Sequence, residues 1–178
     1  RPQILNSFDA DDFIYIHKIN KKNHWFASEQ LDERLSKAVE LIFNHRDNVY
    51  SFWKVANDEQ LCSVAMSLNA GRDSRKEQID FIWATPEELS QVGVHPVCVF
   101  EGQCIQSRGL HYNVQLNESL AKKLCLVLMT FNGSHQPDSS HRIKRLNKRT
   151  MKSVVTYMES KACRVFEMQN TQCECEIV

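Results

Sequence analysis

The chain has 178 residues, 42% hydrophobic and 25% charged, and its 22 Lys and Arg balance its 22 Asp and Glu. That length supports one domain with its own core, and the composition excludes wholesale disorder. No run of about 18 apolar residues occurs, so no membrane-spanning helix is expected, and no apolar leader follows the start.

The charge is unevenly spread. Residues 1–140 hold 14 Lys and Arg against 18 Asp and Glu, and residues 141–178 hold 8 against 4. Neutrality overall argues against a general nucleic-acid binder but leaves room for a local anionic partner. The seven cysteines form no secreted-type framework, and several sit in apolar runs where a thiol acts as a small hydrophobe. Reduced thiols and a cytoplasmic setting are therefore expected, either free in the cytosol or peripheral on a cytosolic membrane face. Because it opens on Arg1, the sequence reads as a domain over 1–168 excised from the C-terminal part of a longer protein, with a flexible polar tail over 169–178.

In chain order, residues 13–19 are rich in β-branched and aromatic side chains and predict a strand. Lys21 to Asn23 mark a turn. Ser28 can cap a helix over 29–45, where Leu31, Leu35, Ala38, Val39 and Ile42 recur at helical spacing. Residues 48–56 fit a short helix, with Val49, Phe52, Trp53 and Ala56 on one side. Asn57 or Asp58 caps the next helix, carrying Leu61, Val64, Ala65 and Leu68, and Gly71 stops it. After a charged loop over 72–78, residues 79–83 predict a strand. Thr85-Pro86-Glu87-Glu88 is a helix start, with a cap, a first-turn proline and acids at the positive end. Residues 94–100 are nearly all apolar and predict a buried strand. Residues 104–108 and 110–116 predict further strands. Asn117 caps a helix over 118–131. A loop covers 133–140, a last helix 141–158, a final strand 163–168. The fold class is α+β, a small antiparallel or mixed sheet with four to five helices packed mainly on one face.

Four constellations carry chemistry. Within residues 141–152, Arg142, Lys144, Arg145, Lys148, Arg149 and Lys152 stand with no acid among them. On a continuous helix, Arg142, Arg145, Arg149 and Lys152 share one stripe. Such a surface suits an anionic lipid surface or an acidic macromolecule, although an unbalanced basic face is most often simply solvated. The end of the chain, Cys175-Glu176-Ile177-Val178, resembles a prenylation box, with Cys173 as a second lipid site. Val178 is not among the usual terminal residues and Glu176 is not aliphatic. The same end also suits a carboxylate-capturing groove on a protein partner.

The third constellation is a cysteine hydrolase set. Cys62 lies in the first turns of a helix, and His111 and Asn113 point to one face of a strand, an imidazole beside an amide that can orient it. Gly109-Leu110-His111-Tyr112-Asn113 is similar to the histidine strand of ovarian-tumour-type deubiquitinases, a likeness of five residues. Asp58-Glu59-Gln60-Leu61-Cys62 stands where that family has Asp-Gly-Asn-Cys. The resemblance implies catalytic Cys62, His111 and Asn113; the ordinary reading is a core thiol and a surface histidine. The fourth set is His95, Cys98, Cys104 and His111, zinc-compatible in type but without a close Cys-x-x-Cys pair. No metal or cofactor is expected. The leading expectation is a non-catalytic interaction module using the basic segment, and the prenylation-like end would suit an effector domain in a eukaryotic host cytosol; the alternative is a papain-like cysteine hydrolase.

Overall fold

The computed structural model describes residues 12–19, 30–43, 46–70, 78–102, 104–129 and 142–163. Six strands form one antiparallel sheet: β1 (Ile14–Ile19), β2 (Val49–Val55), β3 (Ile79–Ala84), β4 (Val97–Cys98), β5 (His111–Gln115) and β6 (Ile143–Leu146), in the order β4-β5-β2-β1-β3-β6. Among the described residues, the helices are α1 (Leu31–Phe43), α2 (Asp58–Asn69), α3 (Pro86–Gln91), α4 (Glu118–Met129) and α5 (Lys148–Ser160), with 3-10 turns η1 (Arg46–Asn48) and η2 (Ile105–Leu110). This is the expected α+β domain, and every strand pair is antiparallel.

The helices cover both faces of the sheet, not mainly one. Ile14, Ile16, Trp53, Val55, Phe81 and Trp83 pack with α2 and α5. Tyr15, Phe52, Ile82, Ala84 and Val114 pack with α1, α3 and α4. A strand covered on both faces carries apolar residues at both parities, so its sequence loses the alternation that usually identifies it.

That effect overturns the helix expected at 48–56, which is β2, beside β1 near the centre of the sheet. Tyr50 and Phe52 face one side, Trp53 and Val55 the other, and the combined pattern imitates helical spacing. Asp47 and Asn48, with φ of 62° and 56°, turn the chain into the strand. Both residue types tolerate the left-handed region. The buried strand expected over 94–100 is also corrected. Only β4 forms, at the sheet edge, and Val97 is 66% exposed. Cys98 is likewise exposed, not core. β4 does pair directly with β5, as neighbouring strands in the 94–116 segment should. Residues 105–110 are η2 rather than strand.

The helix expected over 141–158 is two elements. Ile143 and Leu146 face opposite sides of the sheet as β6, and Asn147 then caps α5 by accepting from the Thr150 backbone N–H at 2.9 Å. Met151, Val154, Val155 and Met158 are buried along α5. Each contributes about 1.5–3 kcal/mol of burial, which holds the helix on the sheet. The final strand over 163–168 and the tail with Cys173 and Cys175 lie outside the described residues, apart from Cys163.

Candidate functional site

The strand-to-helix boundary at Asn147 divides the six cations. Arg142 is 2% exposed. Its guanidinium forks onto both carboxylate oxygens of Glu88, with Nη1 2.7 Å from Oε2, and Nη1 also donates to the Trp83 carbonyl at 3.4 Å. The charge lies 5.2 Å from the centre of the Trp83 ring. Glu88 is itself fixed by the capping box of α3: the Thr85 N–H donates to Oε2 at 2.9 Å, and Glu88 N–H donates to Thr85 Oγ1 at 3.3 Å. Burial pushes the Glu88 carboxyl up, but the hydrogen bonds from Arg142 and Thr85 outweigh it and hold the carboxyl below its ordinary range.

Arg145 forks onto Asp80 of the neighbouring strand β3, with Nε 2.6 Å from Oδ1 and Nη2 2.8 Å from Oδ2. Lys144 is half-buried on β6. The expected stripe of Arg142, Arg145, Arg149 and Lys152 is therefore not a single helical face. Arg142 lies sealed in an ion pair, and Arg145 is matched by a carboxylate.

Lys148, Arg149 and Lys152 differ. All three are exposed in the first five residues of α5. No ion pair among the described residues includes them. Lys152 follows Lys148 by four positions and Arg149 by three, which places the three heads on one patch. No acid occupies that turn, and the positive end of the helix dipole adds to their field.

Of the hydrolase set, Cys62 lies on α2, and His111 and Asn113 lie on β5. His111 and Asn113 do share a face of β5, the face covered by α2, as their spacing predicts. The imidazole stacks on Trp53 with ring centres 4.5 Å apart, and its Nδ1, 3.8 Å from Glu101 Oε2, has no hydrogen-bond partner. Burial lowers the His111 pKa, with Glu101 opposing. Asn113 Oδ1 accepts from Ser51 Oγ at 2.9 Å and does not orient the ring. Cys62 is 0% exposed within the core under α2.

Of the zinc-compatible set, His95 and Cys98 are exposed, while Cys104 is buried beside Cys163. Among the described residues no group of three or more His, Cys, Asp or Glu side chains is placed to hold a metal ion. Among them, too, no helix is long and apolar enough to cross a membrane. Sequence spacing gave no signal for Glu88 and Asp80, the residues that retire two of the cations, because they lie 54 and 65 positions from their arginines. The chain matches no protein-family model, no curated protein and no solved structure.

Proposed function

We propose that the protein is a non-catalytic interaction module that docks on an anionic phospholipid surface through Lys148, Arg149 and Lys152. The observation that supports this reading is the exposed patch of three cations at the start of α5, outside every ion pair among the described residues. The buried stripe from Met151 to Met158 fixes the helix, so the patch is presented on a rigid element. A net-neutral chain lacks the extended basic footprint of a nucleic-acid binder, which favours lipid phosphate over nucleic acid.

Each cation near an anionic membrane contributes about 1 kcal/mol, so replacing Lys148, Arg149 and Lys152 together by Gln should weaken binding on the order of 100-fold. The assay is co-sedimentation with phosphatidylserine-containing vesicles at low salt, with neutral vesicles and a DNA duplex as controls. Binding should fall steeply as salt rises. A wild-type protein that ignores anionic vesicles, or a triple variant that binds as well as wild type, overturns the reading. Equal binding to the duplex, lost in the triple variant, would move the partner to nucleic acid.

A further inference from the structure

Cys104 and Cys163 sit 59 positions apart, yet their sulfurs are 3.8 Å apart, with Cys163 donating its S–H to Cys104. Both are buried in the core between the sheet and α2 and α5. The pair is held from both sides. The Cys104 N–H donates to Ser67 Oγ at 2.8 Å, Ser67 and Ser107 share a 2.6 Å hydroxyl bond, and Ser107 Oγ donates back to the Cys104 carbonyl at 2.8 Å. That closed chain of hydroxyls ties η2 to α2. On the other side, Ala162 turns the chain at φ of 60°, and the Cys163 N–H donates to the Met158 carbonyl at 3.0 Å. The two sulfurs therefore face each other from two anchored backbones, about 1.8 Å beyond bonding distance.

We propose that Cys104 and Cys163 are a redox latch, joined to a disulfide by hydrogen peroxide, which fastens the end of α5 to η2. Cys163, next to the end of the helix, reacts first: opening of the last turn lets its thiol ionise, and the thiolate attacks one peroxide oxygen. The O–O bond breaks, one water leaves after proton uptake, and the sulfur becomes a sulfenic acid. Cys104 then attacks that sulfur. Its proton passes to the departing hydroxyl, the second water leaves, and the S–S bond forms. Two thiols lose two electrons and two protons, and the peroxide is reduced to two waters. The order follows from position: Cys163 adjoins the end of α5, where the last turn can open, whereas Cys104 is held inside by the Ser67 and Ser107 hydroxyls and burial keeps its thiol protonated. Proximity makes the second step fast relative to capture by another thiol.

The experiment treats the protein with hydrogen peroxide and maps its cysteines by non-reducing peptide mass analysis, alongside thermal melting. The expected product is one peptide pair joined through Cys104 and Cys163. Closing a loop of this length should raise Tm on the order of 10 °C, reversed by dithiothreitol. Cys163→Ala, which keeps the site apolar, should remove both the link and the shift, and Cys104→Ala should do the same. The wild-type map decides the matter even if a variant folds poorly. The proposal is overturned if Cys98 is oxidised while Cys104 and Cys163 remain thiols. It is equally overturned if either pairs with another cysteine such as Cys173 or Cys175, or if the link forms without a gain in Tm.

Discussion

Replacing Arg142 by Met should destabilise the fold while leaving anion binding intact, the reverse of what its place in a basic run suggests. The variant removes the fork onto Glu88 and the bond to the Trp83 carbonyl, and keeps a side chain that fills the apolar part of the site. Breaking a fully buried ion pair costs about 3–5 kcal/mol, mostly because the surviving charge is stranded. Here Glu88 keeps 31% of its side-chain surface exposed and retains the Thr85 N–H, so water and the cap recover part of that cost. The expected loss is about 2–4 kcal/mol, or roughly 5–12 °C in Tm for a chain of this size. Urea unfolding measures it. Adding Glu88→Gln completes a double-mutant cycle, and Gln still serves the capping box, so the coupling term of about 1–3 kcal/mol isolates the pair. Acid titration gives a further check. The folded Glu88 carboxyl lies below its ordinary value of 4.5, so its contribution is present above that pH and is lost as pH falls through the folded value. Wild type should lose stability in that window, and Arg142→Met should lose less. A single-variant loss under about 0.5 kcal/mol, or a coupling near zero, would refute the structural role of Arg142.

Two other expectations follow from the same geometry. His111 is half-buried against Trp53 with its pKa lowered by desolvation, so the neutral ring is favoured in the fold; stability is complete above the ordinary value of 6.5 and declines as pH falls below it. His111→Phe keeps the stack and should flatten that decline between pH 7 and 5 in urea titrations; parallel profiles for the two proteins would show the ring does not govern it. Native iodoacetamide labelling should modify the exposed Cys98 first and reach Cys62 only on unfolding, since Cys62 is sealed in the core. Labelling of Cys62 faster than free cysteine would favour the hydrolase reading over the interaction module.

The sequence announces its helix caps clearly. Thr85 to Glu88 forms the capping box, Asn57 caps α2 and Asn117 caps the start of α4, because these signals are local and chemical. Strands fare worse where both sheet faces are covered. In β2, Tyr50, Phe52, Trp53 and Val55 are all buried, and no alternation survives to separate strand from helix. The apolar run over 94–100 misleads for the opposite reason: β4 is an edge strand, and Val97 and Phe100 remain exposed despite their type. Phe100 even adopts φ of 51°, a region that bulky side chains rarely occupy and that no composition rule anticipates. The helix boundary at Asn147 was legible in principle, as an N-cap residue before Met151, Val154 and Val155, but the cations around it dominate the pattern.

That boundary also explains why a run of like charges can be tolerated. A continuous helix over 141–158 would stack Arg142, Arg145, Arg149 and Lys152 on one face, where like charges three and four positions apart repel. Breaking the segment at Asn147 sends the first two arginines to carboxylates on other elements, Glu88 from α3 and Asp80 from β3. Only Lys148, Arg149 and Lys152 are left to solvent at the start of α5. The segment thus separates paired from exposed cations by position. Before the cap, Arg142 ties the sheet to α3 and Arg145 ties β6 to β3, both across long sequence distances; the cations after it face outward. On the proposed reading, substitutions at Arg142 and Arg145 should therefore act on folding, through Glu88 and Asp80, and those at the exposed Lys148, Arg149 and Lys152 on binding.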